Sequence, residues 1–507
     1  MPSPDVRPAI LLNEADNVVV LPDGGRKGEY IELAGTDAPE AFAELTEDIP
    51  PGHKAARRVI VRGETVVKYG SPIGVTTGPI APGSWVHEHN VRTALGDEEA
   101  SLPRWHGSEE RKGGNASVCR SDLTFSGYGR SWGRPGVRND LWVIPSVGCI
   151  DGELRSVLRG FEKPAWIDEV RLLEHPYGCS QLGGDLEATR EILSGLALNP
   201  NAAGVLLVGL GCENLPVADL AAPVREKCPD RPFEALNLQD DSEDEVLAIL
   251  KGLAEAAPRE RTAFPLSDLC VGVKCGGSDG YSGLTANPLV GRFADFLTAC
   301  GGTVLATEIP EMFGAEGMIM GRIADERVCR DFVAMDLWFR DYFRRYGQPI
   351  FENPSPGNRA GGITTLEEKS LGAVEKTGGA PVTRVLGYGE GIGPEGGVQI
   401  AFSPGNDLVS CTSLAGSGAQ LVLFTTGRGT PFGTVVPTVK LATNTPLAER
   451  RPGWIDFDAG TLLAGESWEG ASARLAEYVI AVASGEKVAH ERKGFGEIAV
   501  FKDGVTL

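Results

Sequence analysis

Between residues 126 and 262 short apolar runs alternate with segments of helical period: LWVIPSVGCI, GELRSVLRGFEK, VRLLEHPYGCS, DLEATREILSGLAL, GVLLVGLGCENL and EDEVLAILKGLAEAA. Continuous apolar runs are strands buried on both faces, and a helix after each one predicts a mostly parallel sheet with helices covering it. A second block of this kind begins near 263 and runs towards the C-terminus through DLCVGVKCGG, PLVGRFADFLTACGG, TVLATEIPEMFG, RVCRDFVAMDLWFRDYFRRY and GAQLVLFTTGRG. The fold class is therefore α/β. Residues 1–100 instead alternate brief apolar runs with Gly and Pro turns, which predicts a small β-rich domain, and a polar linker is expected at 101–125. At 507 residues the chain exceeds one core, so the expected domains are 1–100, 126–262 and 263–507.

Charge narrows the function. A net charge of −21 argues against nucleic acid as a partner, although a local cluster of cations can still hold a small anion. No window reaches the roughly 18 apolar residues of a membrane span and no basic-then-apolar leader opens the chain, so the expected location is the cytoplasm without a membrane partner. Ten cysteines at this length are expected to be reduced thiols rather than a disulfide framework. No strand leads into GxGxxG with an acid beyond it, which disfavours a nicotinamide enzyme.

Four cysteines sit in small-residue settings: VGCI at Cys149, HPYGCS at Cys179, GLGCEN at Cys212 and KCGGSD at Cys275. Three of the four follow, or lie within, an apolar run ending in glycine, the way a buried parallel strand delivers a side chain to a cleft at its carboxyl end. They read as ligands of iron or an iron–sulfur cluster, as contacts to substrate or a single metal, or as cleft-wall packing. Spacings of about thirty residues or more, without CxxC, make the cluster the less favoured reading. Cys119, Cys228, Cys270, Cys300, Cys329 and Cys411 lie in apolar or helical contexts and read as inert.

Longer blocks carry a resemblance. GHKAARRVIVRGETVVKYGSPIG, GSWVHEHN, GRPGVRNDLWVIPSVGC, GLGCEN, CGGSDGYSGLTANPLVG, GGTVLATEIPEMFGAE, NPSPGNRAGGITTLEEKSLG, FTTGRGTPFG and PTVKLATN occur in this order over nearly the whole chain. The sequence resembles the altronate/galactarate dehydratase family. That resemblance implies an N-terminal SAF-like β-clip domain followed by two larger domains. It also implies a hydro-lyase dependent on Fe2+, with Mn2+ or Mg2+ as substitutes, that turns a sugar acid into its 2-keto-3-deoxy product. D-altronate is preferred over galactarate because fused, single-chain members are often altronate enzymes. The fused SAF-like domain leans against the split sulfolactate lyases of the same family. The expected partners are a sugar-acid substrate and a second copy in a homodimer. One departure is Arg359 in PGNRAGG, where lysine is expected; either cation can hold a carboxylate.

Dehydrating a 2,3-dihydroxy acid removes the C2 proton and expels the C3 hydroxide, so it needs a general base, a general acid, a cation against the enediolate and a clamp for the carboxylate. His87 and His89 in WVHEHN are expected metal ligands, because residues two apart on a strand share a face, and His53 in PPGHK can supply a third nitrogen. Their alternative is surface histidine in a loop. Arg138 and Asn139, in GRPGVRND before a buried strand, are candidates for the substrate carboxylate, against a surface ion pair as the alternative. Arg428 and Lys440 offer further cations. Ser278, Asp279 and Asn287 follow the Gly-Gly turn and suit hydroxyl or carboxylate recognition, as do Asn358 and Arg359. For proton transfer the candidates are His175, Cys179, Glu308 (with Glu311 and Glu316 nearby) and Lys369. Adjacent Glu368 and Lys369 either perturb each other when buried or open a Thr-capped helix.

Overall fold

The computed structural model describes residues 6–33, 42–95, 102–107 and 123–507. Most of the expected linker, and Cys119, lie outside these residues. The first described block forms three-stranded sheets. Val18–Leu21 pairs antiparallel with His53–Ala56, which pairs in turn with Trp85–Val86. Thr65–Lys68, Ser71–Thr76 and Val91–Arg92 make a second sheet, and Val6–Arg7, Tyr30–Glu32 and Phe42–Glu44 a third. The strands bury two faces. Val19, Leu21, Ile31, Leu45 and Ala55 pack into a small core of their own. Val18, Ala56, Val66, Ile73 and Val86 instead join the main core, together with Leu289, Phe293 and Leu371 from the C-terminal half. Burial against another domain's core docks this module rather than tethering it.

The middle block is a four-stranded parallel sheet in the order Val170–Leu172, Asp140–Pro145, Ala202–Gly209, Phe233–Asn237. Alternation within Asp140–Pro145 divides its faces. Trp142 and Ile144 pack with the helices Gly183–Ala197 and Val217–Lys227, while Leu141 and Val143 pack with Asp151–Leu158 and Glu243–Ala256. A small antiparallel sheet of Gly133–Gly136, Thr124–Arg130 and Thr262–Pro265 joins the entry and exit of this block.

The C-terminal block is a seven-stranded parallel sheet in the order Val382–Leu386, Gly397–Ala401, Thr303–Ala306, Cys270–Cys275, Leu421–Thr426, Thr438–Ala442, Phe457–Asp458. Its first strand, Cys270–Cys275, stands in the middle. On one side the chain adds Thr303–Ala306, then the edge strand Val382–Leu386, then Gly397–Ala401 between the two, and it returns to add the other side from Leu421–Thr426 onwards. Such a reversal opens a crevice beyond the carboxyl ends of the central strands, where open α/β sheets bind ligands. Both larger blocks are thus α/β with parallel sheets, after a small β-rich domain. Among the described residues no helix is long and apolar enough to cross a membrane. Cys300 departs from the expected reduced state: it is disulfide-bonded.

Candidate active site

A cavity of about 330 Å³ opens in that crevice. Cys275, Gly276 and Gly277 reach it from the end of the central strand, Pro310 and Glu311 from the turn after Thr303–Ala306, and Pro404, Gly405 and Asp407 from beyond Gly397–Ala401. Phe339, Tyr342 and Phe343 of the helix Glu326–Arg345 form an apolar wall, and Asn353, Asn358 and Lys369 bring polar atoms. Gly276 cannot be larger here, because a Cβ would lie 2.6 Å from both Phe424 and Asp407.

The floor of the cavity is ionic. Lys369 donates to Glu311 Oε1 at 2.8 Å and to Asn353 Oδ1 at 2.9 Å. Behind them, fully buried Lys274 pairs with Glu308 and, at 2.9 Å, with Asp407. Lys376 donates to Glu308 Oε2 at 3.0 Å and lies 3.3 Å from Cys275 Sγ. Burial alone raises a carboxyl, but the ammonium groups of Lys369, Lys274 and Lys376 outweigh it and hold Glu311 down at about 2. The thiol of Cys275 moves the other way, pushed up to about 12 by burial and then by the Glu308 carboxylate. Glu308 itself adopts the left-handed region, φ 73° and ψ 52°, which costs a non-glycine residue about 1–3 kcal/mol. Its ion pairs with Lys274 and Lys376 hold it there.

Cys275, Glu308 and Glu311 are also the one set of three metal donors within 4.8 Å of one another among the described residues. Two carboxylates and a thiol suit iron(II), and the set backs directly onto the cavity. The donors would fit a divalent ion, which would take the place of the Lys274 and Lys376 ammonium groups on Glu308 and of the thiol's proton.

The three histidines do not assemble such a set. The strand ends at Val86, so His87 and His89 lie in the following turn and the two-residue alternation that would align them is lost. His53 and His87 are buried with ring centroids 5.1 Å apart, whereas His89 is exposed and packs on Trp85 at 5.3 Å. Both His53 nitrogens are engaged: Nδ1 accepts from Trp85 Nε1 at 3.1 Å and Nε2 faces the Ala360 carbonyl at 3.4 Å. His87 Nδ1 lies 3.0 Å from Thr364 Oγ1. Burial, then the Lys54 ammonium, lowers both rings from 6.5 to about 4. Neutral in the folded chain and protonatable once exposed, they stabilise the fold fully above pH 6.5, and that stability is lost as pH falls from 6.5 to 4. Unfolding midpoints of the wild type should drop across that window, and a His53→Gln, His87→Gln double variant should show a shallower drop. Equal slopes for the two proteins would contradict this assignment.

These rings belong to the joint between the first module and the catalytic sheet. Its centre is the helix Leu366–Val374, buried on all sides and N-capped by Thr365, whose hydroxyl accepts from Glu368 N. Three consecutive charges leave this helix in three directions. Glu367 accepts from Thr93 Oγ1 at 2.9 Å and from Ala94 N at 2.7 Å. Glu368 takes Lys54 at 2.9 Å and Lys68 at 2.8 Å, both buried and both from the first module. Lys369 turns into the cavity. Glu368 and Lys369 are thus buried at a capped helix start, but each pairs with another residue rather than with its neighbour.

Among the other expected site residues, Asn358 lines the cavity, and its Nδ2 donates to the Ser278 carbonyl at 2.8 Å. Ser278, Asp279 and Asn287 line a small buried void beneath it, with Glu368 and Lys369. Asp279 accepts from Thr443 Oγ1 at 3.0 Å and Asn444 Nδ2 at 3.1 Å, and burial pushes its carboxyl up to about 6. Asn287 is spent on Gly372 O and Thr425 Oγ1, so it braces the fold. Arg428 is exposed beside the cavity's glycine turn, its backbone N–H on Gly277 O at 3.1 Å. Arg359 reaches back to Glu88 at 3.3 Å.

Several expected site residues are engaged elsewhere or lie away from the cavity. Arg138 forks onto Glu491 at 2.7 and 2.8 Å and also donates to Val137, Val482 and Glu486 carbonyls, which leaves no donor for a substrate. Asn139 donates to the Trp166 and Pro258 carbonyls and accepts from Arg130. Lys440 is fully buried on the Phe432 carbonyl at 2.5 Å, and burial lowers its ammonium to about 8. His175 is buried too: Nε2 donates to Pro145 O at 2.8 Å and Nδ1 accepts from Tyr177 N at 3.2 Å, which clips two loops together. Cys179 is exposed at the end of the middle sheet, and Glu316 pairs with Arg340. Residues missed from the sequence are Lys54, Lys68, Lys274, Lys376 and Asp407. For Lys68 and Lys274 the signal was a charge set in an apolar strand, as in the TVVKYG and CVGVKC runs, where burial requires a partner.

Comparison with known proteins accords with this layout. Residues 7–94 match the altronate/galactarate dehydratase SAF domain, 127–260 the D-galactarate dehydratase/altronate hydrolase second domain, and 266–506 the D-galactarate/altronate dehydratase C-terminal domain. The chain is 46% identical to an altronate dehydratase of Bacillus subtilis (strain 168), covering 98% of this chain and 99% of that protein. It is 44% identical to an altronate dehydratase of Escherichia coli (strain K12), covering 91% and 93%. Identity to the Escherichia coli (strain K12) galactarate dehydratase (L-threo-forming) is 34%, covering 94% and 93%. The chain belongs to the D-galactarate/altronate dehydratase family.

Proposed function

We propose that this chain is a hydro-lyase that dehydrates D-altronate to its 2-keto-3-deoxy acid. The observation that carries the chemistry is the Glu311–Lys369 pair, a carboxylate and an ammonium 2.8 Å apart that both face the cavity. Lys369 donates its proton to the departing C3 hydroxyl. As it does so, Glu311 loses its nearest cation, its basicity rises, and it takes the C2 proton. The two groups then exchange that proton through their hydrogen bond and return to the starting state. Arg428, exposed beside the Gly276–Gly277 turn and with no side-chain partner among the described residues, clamps the substrate carboxylate. Cys275, Glu308 and the Glu311 Oε2 beside Cys275 are the atoms that would hold the iron(II) implied for this family, with Glu311 Oε1 left on Lys369 for proton transfer; a bound ion would supply Lewis acidity towards substrate oxygens.

Altronate is favoured over galactarate by the higher identity to two altronate dehydratases. The test is an anaerobic assay of purified protein with Fe(II) against a panel of aldonates and aldarates, detecting the 2-keto acid with semicarbazide. Turnover of altronate above all other acids is expected. Turnover of galactarate alone would replace the substrate and keep the reaction; no keto acid from any sugar acid would end both.

A further inference from the structure

The ionic cavity does not use the three exposed thiols of the middle domain. Cys149, Cys179 and Cys212 are free and exposed. They follow Asp140–Pro145, Val170–Leu172 and Ala202–Gly209, three strands that are neighbours in one parallel sheet. Their loops are locked to one another. Gly148 N donates to Tyr177 O at 2.9 Å and Leu215 N to Gly178 O at 3.1 Å. Ser180 N donates to Asn214 Oδ1 at 2.8 Å, and Ser146 Oγ to Glu213 Oε1 at 2.6 Å. Each cysteine is therefore next to, or one residue from, a contact with another cysteine's loop. The contact is too close for any side chain at Gly178, whose Cβ would lie 1.8 Å from Ser146 O. Beside Cys179, Ser180 holds φ 59°, so the loop keeps an unfavourable backbone to stay in place. The helices Asp151–Leu158, Gly183–Ala197 and Val217–Lys227 start just beyond the three thiols and direct their N-termini to this rim.

We propose that these thiols hold an iron–sulfur cluster of the four-iron type, with three cysteine ligands and one iron left for an oxygen ligand. A single soft ion fits less well. With bonds of about 2.3 Å it needs sulfurs about 3.8 Å apart, and these three do not all lie within 4.8 Å of one another. A cluster spreads its thiolates over separate corners and does not require them to meet at one atom. Gln239 Nε2, 3.7 Å from Cys212 Sγ, supplies the amide hydrogen bond that ligand sulfurs commonly receive. On binding, three S–H protons leave and three iron–sulfur bonds form. The proposal goes beyond the dehydratase reading and does not depend on it.

The test reconstitutes the full-length protein anaerobically with sulfide and equal amounts of iron(II) and iron(III), so that no further oxidant is needed. About four acid-labile sulfides per chain are expected, with about four irons beyond any held by the Cys275, Glu308 and Glu311 set, and broad visible absorption. Cys149→Ser, Cys179→Ser and Cys212→Ser should each lower the cluster content severalfold and together abolish it, while Cys228→Ser should change nothing. Alkylation of the unsubstituted chain gives a second readout, in which the three thiols react before reconstitution and are protected after it. Iron retained without labile sulfide, absorption surviving in the triple variant, or equal alkylation before and after would overturn the assignment. These readouts are independent of sugar-acid turnover, so failure of the substrate assignment leaves them intact.

Discussion

Glu368→Gln is expected to destabilise the protein by about 3–5 kcal/mol, because it leaves the buried ammonium groups of Lys54 and Lys68 facing a neutral amide. The loss should appear as a lower urea midpoint with little change in the far-ultraviolet spectrum of the folded state. Burial opposes the charged form of Glu368, but the two lysines prevail and hold its carboxyl at about 2. A carboxylate held down in this way stabilises the fold above its ordinary 4.5, and the contribution fades as pH falls towards 2. A second variant separates charge from packing. Glu368→Leu combined with Lys54→Met and Lys68→Met removes all three charges together and should recover most of the stability, as apolar replacement of buried ion pairs often does. A Glu368→Gln midpoint equal to that of the wild type would remove the triad from the account of stability.

Lys369→Gln should lower kcat by roughly 10²–10⁴-fold, the usual loss when a positioned proton donor is removed, and leave KM nearly unchanged. Glutamine can still donate to Glu311, so the cavity keeps its shape while losing the mobile proton. Unfolding midpoints control for structural damage. Lys369→Arg keeps the charge but not the readily surrendered proton, and should also be slow. Near-normal kcat in both variants would place the acid elsewhere. A raised KM with kcat preserved would make Lys369 a substrate anchor.

The contrast between what the sequence disclosed and what it hid follows from the range of the interactions. Apolar runs such as LWVIP and VLLVG are local signals, and they revealed both parallel sheets and the strand ends that bear Cys149, Cys212 and Cys275. The HxH pair was read on a strand, but the strand stops at Val86 and both histidines lie in the turn after it. Arg138 was understood chemically but not topologically. It does fork onto a carboxylate, yet that carboxylate is Glu491 of its own chain, a pairing invisible in a local stretch. The cavity's ionic floor was hidden for the same reason, because Lys274 and Lys376 meet Glu308 from separate elements. Isolated lysines inside apolar strands were the available warning.

Adjacent residues on the helix Leu366–Val374 face opposite tasks: Glu368 receives the leading module and Lys369 enters the cavity. Both positions are held in one hydrogen-bonded helix, so it does not turn at one of them without turning at the other. Any force that pries the β-rich module loose is transmitted to the ammonium beside Glu311 within a single residue. Tolerance of changes on the module's docked face should therefore track turnover as closely as tolerance of changes in the pocket, even though among the described residues none of the pocket's walls comes from that module.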